Sequence, residues 1–310
     1  MRVLIDGTPL LVPGGGVKTH TFTWIRALLE QPQTSVEFRV FPFLRELPEL
    51  NHVRMPGEAI DEQLRTAFAH FVGLKGNPTL GLLCRGTDVF HASHQIRALP
   101  RRATVTATVY DMTCWLLPEM HTRPNVEATK WYADHILRAS EGLIAISECT
   151  RRDCAEVLGI PEQRIAVVYP NVREVFYEAG AEEAARARQK FNLHRPYVLF
   201  LGCLEPRKNL PRLLEAWRLL AARLPREAEL AIAGPTGWED PGFLATLKGT
   251  PGVRRLGYIP VPDLPGVVKG ADALVYPSLY EGFGLPPAEA MAAGGDRGGS
   301  RGRAHRQRLA

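Results

Sequence analysis

Short apolar runs alternate with amphipathic segments along most of this chain. Ten of the runs predict β-strands by their length and by their content of aliphatic and aromatic side chains. Several are apolar without interruption, which is typical of strands buried on both faces of a parallel sheet. The predicted strands are residues 3–6, 37–41, 88–92, 104–110, 142–146, 165–169, 197–201, 229–233, 253–256 and 273–276.

Helical patterns lie between the predicted strands. Residues 21–29 repeat apolar side chains at helical spacing, and a longer helix is predicted to follow Asn209 as its N-cap. The apolar face of this longer helix comprises Leu210, Leu213, Leu214, Trp217, Leu220, Ala221 and Leu224. Repeated βα units of this kind predict an α/β fold with doubly wound, Rossmann-like domains.

The strands form two series, and each series predicts one domain. Residues 1–170 form the first domain, and residues 195–294 form a second domain that has fewer strands and is predicted to be incomplete. Residues 171–194 contain the stretch AGAEEAARARQKF, which has few large apolar residues, and are predicted to connect the domains. Ligands of such sheets bind beyond the carboxyl ends of the strands, so candidate residues are sought there.

The composition is that of a soluble globular protein. Of the 310 residues, 45% are hydrophobic and 23% are charged, which are ordinary values. No apolar run approaches the roughly 20 residues that span a bilayer, and the N-terminus MRVLIDGTPLLV suits a first strand better than a signal peptide. These features predict a cytoplasmic protein. Its five cysteines lack metal-type spacing and are expected to be reduced, mostly buried thiols.

The net charge of +5 comes mainly from one end of the chain. Residues 295–310, GDRGGSRGRAHRQRLA, hold five Arg and one Asp and contribute +4, which leaves +1 for residues 1–294. A body so close to neutrality argues against nucleic acid as a partner. The tail differs from all of the preceding sequence and is predicted to be a disordered basic segment or one translated out of frame.

One loop is a candidate anion site, and a glycine-rich loop is a weaker candidate ligand site. In the stretch GCLEPRKNL, a strand passes into a helix, and N–H groups and the dipole at a helix N-terminus attract anions. Arg207 and Lys208 oppose that dipole, so an anion that neutralises both is expected, and a diphosphate fits. The alternative is a solvated pair of surface charges. Gly14, Gly15 and Gly16 allow close approach of a ligand to the backbone, but they match neither GxGxxG nor the P-loop pattern, and the alternative is a flexible turn.

The segment SLYEGFGLPPAEAMAAG, residues 278–294, carries two carboxylates. Glu281 follows a predicted strand, and it therefore lies at the ligand edge of the sheet. Pro286 and Pro287 favour a helix start that puts Glu289 in the first turn. Carboxylates at such positions accept hydrogen bonds from sugar or ribose hydroxyls. The alternative for Glu289 is a structural role against the helix dipole.

These residues carry a family resemblance that covers about residues 1–294. EGFGLPPAEAM is similar to the E-x7-E signature of the retaining GT-B glycosyltransferases of family 4, also called glycosyl transferases group 1. EPRKNL is similar to their donor-phosphate loop, and HASHQ, TVYDMT, LLPEM, AISECTRRD and VVYPNV occur in the family's usual order. The resemblance implies two Rossmann-like domains facing a cleft, and a retaining hexosyltransferase that builds bacterial surface polysaccharides.

The resemblance also assigns roles to individual residues. The expected donor is a GDP- or UDP-linked hexose such as mannose, bound mainly by the second domain without a cofactor or metal. The expected acceptor is a saccharide or a lipid-linked sugar on the side of the first domain, which makes a peripheral membrane contact an expectation. The expected donor contacts are Gly15, Gly16, Arg207 and Lys208 with the phosphates, Tyr258 and Ile259 with the nucleobase, Glu281 with the sugar, Phe283, Gly284 and Leu285 with sugar and phosphates, and Glu289 with the ribose.

The chain departs from the family pattern at two positions. Tyr110 stands where many members have a His that contacts the donor sugar, and Tyr is seldom a base at neutral pH because its ordinary pKa is about 10. Asp111 and His91 are further catalytic candidates, although His91 is equally well explained as a core histidine. Cys203 stands where many members have a second basic residue of the phosphate loop.

Members of the family continue after the EAMAAG segment with a strand and helices, whereas this sequence passes into its basic tail. The resemblance therefore implies a C-terminally truncated copy with a less stable second domain and impaired closure and activity. The alternatives are a non-catalytic remnant that at most binds nucleotide, and a sugar-nucleotide epimerase or phosphorylase on the same architecture. No motif fixes the donor sugar, the acceptor, the linkage or the oligomeric state.

Overall fold

A computed structural model describes residues 1–294 except 13, 32–34, 43–46, 48–49, 51, 53–59, 73, 75–76, 94–95, 222, 224–227 and 240. The basic segment 295–310, and the expectation attached to it, lie outside the described residues. The chain divides into two compact units. The first comprises Met1–Leu116 and Arg123–Asn171, and the second comprises Leu117–Thr122 and the chain from Val172 onward. The domain bounds drawn from the sequence stay predictions.

The first unit is built on a parallel sheet, in which six strands are described. Their order across the sheet is β2-β1-β3-β4-β5-β6. The strands are β1 (Arg2–Asp6), β2 (Glu37–Phe41), β3 (Val89–Ala92), β4 (Thr104–Val109), β5 (Gly142–Ala145) and β6 (Ile165–Val167). The helices are α1 (Gly16–Leu29), α2 (Ile60–Val72), α3 (Thr79–Leu83), α4 (Thr113–Leu116), α5 (Arg123–Tyr132), which continues as a π-helix over Ala133–Leu137, and α6 (Glu148–Leu158).

The second unit has a parallel sheet in the order β10-β7-β8-β9 over its described residues. The strands are β7 (Tyr197–Leu201), β8 (Glu229–Ala233), β9 (Val253–Gly257) and β10 (Ala273–Leu274). The helices are α7 (Ala181–Lys190), α8 (Leu210–Ala221), α9 (Pro241–Gly249), α10 (Leu264–Lys269) and α11 (Leu285–Gly294). Short 3-10 helices over Glu174–Phe176 and Pro206–Lys208 precede α7 and α8.

Both faces of the second sheet are covered, because side chains of a strand alternate between its faces. On β7, Leu199 packs into one cluster with Val267 of α10 and Ala290 of α11. The neighbouring Phe200 packs into the opposite cluster with Trp217 of α8. This two-sided burial explains why β7 is apolar without interruption, and it defines a doubly wound domain.

The structure confirms all ten predicted strands, with ends that differ by up to two residues. The helix predicted at 21–29 begins earlier, at Gly16. Its first turns were not predicted because they bury the polar side chains of Lys18, Thr19 and His20 and therefore lack an apolar pattern. Of the apolar face predicted for α8, Leu220 is half exposed and Leu224 lies outside the described residues. Within the described chain, no helix is long and apolar enough to cross a membrane.

Candidate functional site

The candidate site lies at the switch point of the second sheet. β7 has β8 on one side and β10 on the other, so the chain leaves the carboxyl ends of β7 and β10 in divergent directions. Ligands of open α/β sheets bind in the crevice that such a divergence leaves. The loop after β7, residues 202–209, supplies Arg207 and Lys208, and the segment after β10, residues 275–284, supplies Glu281.

The backbone of the loop after β7 is held tightly against the loop after β8. A Cβ atom on Gly234 would lie 1.9 Å from the carbonyl oxygen of Gly202, so glycine is required at this approach. Leu204 adds a backbone hydrogen bond, in which its N–H donates to the carbonyl oxygen of Pro235 at 3.0 Å. This packing fixes the backbone from which the two predicted cations project.

Arg207 joins the loop after β7 to the segment after β10. Its Nη2 donates to Glu205 Oε1 at 2.5 Å, within the same loop. Its Nη1 donates to the carbonyl oxygen of Tyr280 at 2.7 Å and pairs with Glu281 Oε2 at 2.9 Å. The Arg207 side chain is 11% exposed, so these interactions are poorly screened by water.

Lys208 binds the same carboxylate from its other oxygen. Its Nζ donates to Glu281 Oε1 and to the hydroxyl oxygen of Tyr276, both at 2.6 Å. The ammonium also lies 4.8 Å from the centroid of the Tyr276 ring, within cation–π range. Asn209 follows in the left-handed region with φ +57, and its Nδ2 donates to the carbonyl oxygen of Pro277 at 3.3 Å.

The electrostatics keep Glu281 ionised at neutral pH. Burial alone would raise its pKa, but the charges of Lys208 and Arg207 outweigh burial and lower the pKa to about 2. An ionised carboxylate only accepts hydrogen bonds. The two cations and the carboxylates of Glu205 and Glu281 sum to zero charge, so the cluster is internally neutralised. The structure therefore brings Arg207, Lys208 and Glu281 together, but it makes Glu281 unsuited to donate a proton.

Glu289 lies on α11, further into the helix than the sequence predicted. The helix begins at Leu285, so Pro286 and Pro287 occupy its second and third positions and Glu289 its fifth. The expectation that Glu289 lies in the first turn is therefore wrong. N–H groups in the first turn of a helix have no partner within the helix, so proline fits its second and third positions as well as its first, and the helix begins at Leu285, before the two prolines. Gly284, with φ +93, permits the sharp entry into the helix.

The partner of Glu289 is Arg173, at the start of the 3-10 helix Glu174–Phe176. Arg173 Nη2 lies 3.6 Å from Glu289 Oε1, and the two side chains are 10% and 7% exposed. Burial raises the pKa of Glu289 to about 7, against the opposing charge of Arg173. Glu289 thus titrates near neutrality, in contrast to Glu281.

The predicted nucleobase contacts follow β9. Gly257 ends this strand with φ +71, and Tyr258 comes next. Tyr258 interacts electrostatically with Arg173 and so belongs to the surroundings of Glu289. The side chain of Ile259 is buried in the apolar core of the unit. Only the backbone of Ile259 could therefore contact a nucleobase.

The other predicted residues belong to the first unit. Gly15 precedes α1 and Gly16 begins it, and a Cβ atom on Gly15 would meet nothing within 4 Å. Tyr110 shares a hydrogen bond with the hydroxyl of Thr21 at 3.3 Å. Burial raises the pKa of Tyr110 to about 12, which makes its phenol a weaker acid than in water.

Asp111 and His91 are both engaged in local hydrogen bonds. Asp111 Oδ1 accepts from the backbone N–H and the hydroxyl of Thr113, at 3.0 and 2.6 Å, at the start of α4. His91 is buried on β3, and its ring nitrogens lie 2.9 Å from the hydroxyls of Thr106 and Thr108 on β4. Burial lowers the pKa of His91 to about 3, so this imidazole is neutral at physiological pH.

Four residues of these clusters were not predicted from the sequence. Glu205 contacts Arg207, and Tyr276 contacts Lys208. The position of Glu205, two residues before Arg207, was a sequence signal from which an ion pair could have been predicted. Arg173 comes from the predicted connection and carries no local signal. In the first unit, His20 is buried with its ring edge-on to Tyr110 at 5.4 Å, and its Nδ1 has no hydrogen-bond partner in the described part of the chain.

Comparison with known proteins places this geometry in a family. The sequence profile described as "Glycosyl transferases group 1" matches residues 181–295, which include the loop after β7 and the whole of α11. The chain is 32% identical over 317 aligned positions to O-antigen chain mannosyltransferase B of Escherichia coli. That alignment covers 95% of this chain and 81% of the relative.

Two solved structures share the fold at low sequence identity. WaaG, a glycosyltransferase involved in lipopolysaccharide biosynthesis, superimposes with a TM-score of 0.63 at 16% identity, over 95% of this chain and 79% of its own. Alr3699/HepE of Anabaena, solved in complex with UDP-glucose, gives a TM-score of 0.57 at 16% identity with the same coverage. The chain therefore belongs to the glycosyl transferases group 1 and has their GT-B fold.

Proposed function

We propose that this glycosyltransferase moves a hexose from a nucleotide-diphosphate sugar to a saccharide or lipid-linked acceptor, with retention of anomeric configuration. Mannose is the proposed hexose, since the relative from Escherichia coli is named as an O-antigen mannosyltransferase. The observation that carries the proposal is the cluster of Arg207, Lys208 and Glu281 at the switch point of the second sheet. GDP and UDP are both retained as the proposed nucleotide.

The two cations are proposed to hold the diphosphate. Charge grows on the leaving phosphate as the bond to the sugar breaks, and preorganised cations stabilise that charge most in a site with little water. Lys208 has three N–H donors, of which Glu281 and Tyr276 take two, and Arg207 adds a second positive charge beside it. We propose that these side chains and nearby backbone N–H groups act without a bound metal.

Glu281 is proposed to accept hydrogen bonds from hydroxyls of the transferred sugar. Its pKa of about 2 keeps it ionised, and its two oxygens are oriented by different cations. A carboxylate in that state orients a sugar and stabilises positive charge on it, but it supplies no proton. We therefore propose front-face attack, in which the leaving phosphate oxygen takes the proton of the acceptor hydroxyl.

The remaining donor contacts are proposed around α11 and β9. Glu289 takes the ribose hydroxyls, and the backbone of Phe283, Gly284 and Leu285 lies near the sugar and phosphates. Tyr258 and the backbone of Ile259 are proposed to face the nucleobase. In the first unit, Gly15 and Gly16 are proposed to contact the phosphates, and Tyr110, Asp111 and His91 stay candidates for the acceptor side.

We also propose a peripheral membrane contact through α2. Leu64, Phe68 and Phe71 are 63%, 37% and 56% exposed, and their i, i+4, i+7 spacing puts them on one face of the helix. Leu74 follows and is 58% exposed. Such an exposed apolar face suits the boundary between lipid headgroups and acyl chains.

Flotation with vesicles of phosphatidylglycerol and phosphatidylethanolamine tests the membrane contact. The chain is expected to float with the vesicles. The double variant Leu64→Ser/Phe71→Ser is expected to stay in the soluble fraction, because it removes two side chains of the exposed apolar face. Both side chains are mostly exposed, so the variant is expected to fold. Equal flotation of both proteins contradicts the contact.

The transfer itself is tested with purified chain, GDP-mannose or UDP-glucose, and a mannose-terminated oligosaccharide. Mass spectrometry is expected to show an acceptor heavier by one hexose, and NMR of the product is expected to show the anomeric configuration of the donor. Nucleotide binding in calorimetry without product formation favours the alternative of a non-catalytic binder. Inversion at the anomeric carbon contradicts the proposed mechanism.

A further inference from the structure

Arg173 is a buried guanidinium beside the proposed ribose carboxylate. Its Nη2 lies 3.6 Å from Glu289 Oε1, and its side chain is 10% exposed. The guanidinium carbon lies 4.9 Å from the centroid of the Phe176 ring, which packs against it. Residue 173 lies before the region that the family profile matches, so neither the sequence motifs nor the profile assign it a role.

We infer that Arg173 is a positioning residue for the nucleotide: it orients the Glu289 carboxylate and favours its charged form, so that Glu289 accepts hydrogen bonds from both ribose hydroxyls. The inference rests on the proposed function, in which Glu289 binds the ribose. On this inference, the preference for a ribonucleotide depends on Arg173 as well as on Glu289, although Arg173 lies outside the segment that contains Glu281 and Glu289.

The protonation state of Glu289 decides whether it can accept hydrogen bonds from both ribose hydroxyls. A carboxylate accepts from two vicinal hydroxyls, whereas a carboxylic acid places a donor on one of its oxygens. Burial pushes the pKa of Glu289 up to about 7, and the Arg173 charge opposes this rise. Without that charge the carboxyl would be predominantly protonated at neutral pH, and one of the two ribose contacts would be lost.

The other charged groups near α11 do not replace Arg173. α10 contributes Lys269, whose Nζ donates to the carbonyl oxygen of Ala293 at 2.6 Å, at the far end of the helix. The residue after β9, Tyr258, interacts with Arg173 itself. The 3-10 helix carries Glu174, which is exposed. The positive charge that acts on Glu289 therefore comes from Arg173.

The hydrogen bonding of Arg173 also points to a ligand. Its Nε is buried and has no hydrogen-bond partner within the described residues. An unmet donor on a buried guanidinium costs free energy, and such costs are retained mainly where the group serves a function. A purely structural ion pair between the 3-10 helix and α11 would gain from closer, bidentate geometry.

The test compares the affinity for a ribonucleotide with that for its 2′,3′-dideoxy form. Calorimetry at pH 7 measures GDP or UDP, whichever binds the wild type more tightly, and the matching dideoxy nucleotide. Wild type is expected to prefer the ribonucleotide by about tenfold or more, because hydrogen bonds to a charged group are worth about 1.5–3 kcal/mol. Glu289→Gln is expected to abolish most of this preference.

Arg173→Gln and Arg173→Met are the decisive variants. Both remove the charge, and Met keeps an unbranched stem against Phe176, so at least one is expected to fold. Each variant is expected to lose the preference for the ribonucleotide and to bind the dideoxy nucleotide as tightly as the wild type does. The unchanged affinity for the dideoxy nucleotide also shows that the variant is folded. Arg173→Lys retains a charge and is expected to restore most of the preference at pH 7.

The outcomes separate the inference from the proposed function. A wild-type protein that binds both nucleotides equally overturns the assignment of Glu289 to the ribose, and this inference with it. A wild-type preference that Glu289→Gln abolishes but both charge-removing variants keep overturns the role of Arg173 alone. Loss of the preference in the variants, with dideoxy binding unchanged and rescue by Lys, supports the inference.

Discussion

The pH dependence of stability offers a sharp test of how Glu289 is buried. The perturbation is Glu289→Gln, which keeps the size of the side chain and removes its titration. Burial raises the pKa of Glu289 from 4.5 to about 7, so the folded second unit binds this proton more tightly than the unfolded chain does. Stability from this group is therefore fully present below pH 4.5 and is lost as the pH rises through about 7.

The magnitude follows from the two pKa values. A difference of about 2.5 pKa units corresponds to about 3 kcal/mol, of which about 2.5 kcal/mol falls between pH 5 and pH 8. The wild type is expected to lose that amount relative to Glu289→Gln over this interval. The variant also leaves Arg173 without its ion-pair partner, but the cost applies to the variant at both pH values and cancels in the comparison.

Urea unfolding at pH 5 and pH 8 provides the measurement, followed by tryptophan fluorescence, to which Trp217 and Trp238 of the second unit contribute. The matched control is Glu281→Gln, because the pKa of Glu281 is about 2 and its charge does not change between these pH values. The control is expected to show the same pH dependence as the wild type. An equal pH dependence for wild type and Glu289→Gln would refute the reasoning.

Three further predictions address the site. The affinity of the wild type for the ribonucleoside diphosphate is expected to rise several-fold from pH 6 to pH 8, as ionised Glu289 becomes available, and a flat calorimetric profile would contradict this. Tyr110→Phe is expected to leave the shape of the kcat profile unchanged between pH 6 and pH 9, because the pKa of Tyr110 is about 12; a lost ionisation in that range would show otherwise. Gly234→Ala is expected to destabilise the second unit by more than about 2 kcal/mol in urea unfolding, because its Cβ would lie 1.9 Å from the Gly202 oxygen. Gly284→Ala would meet Pro287 at an ordinary contact distance of 3.8 Å and is expected to cost about 1 kcal/mol from its backbone strain; equal losses would contradict the packing argument.

The strands were predictable because burial on both faces leaves an uninterrupted apolar run. Leu199 and Phe200 of β7 face opposite clusters, and each needed an apolar side chain. The same logic located Arg207, Lys208 and Glu281, because residues just beyond parallel strands meet at one edge of the sheet. These three residues form one cluster because the strand order places β10 beside β7.

The details that the sequence left open depend on long-range packing. Which cation binds which carboxylate oxygen is decided by the segment after β10 lying against the loop after β7. Arg173 reaches Glu289 because the 3-10 helix packs on α11, and no local pattern encodes that contact. The early start of α1 was hidden because His20 and its neighbours bury polar groups inside the first unit.

The central claim is that Arg207 and Lys208 form the diphosphate site of a group 1 glycosyltransferase. Calorimetric titration of GDP and UDP into the wild type and into Arg207→Gln/Lys208→Gln tests it most directly, with thermal unfolding as the check that the double variant is folded. The wild type is expected to bind one of the nucleotides, and the double variant is expected to bind it at least about 100-fold more weakly, since two charged contacts are lost. Equal affinity in a folded double variant would contradict the claim.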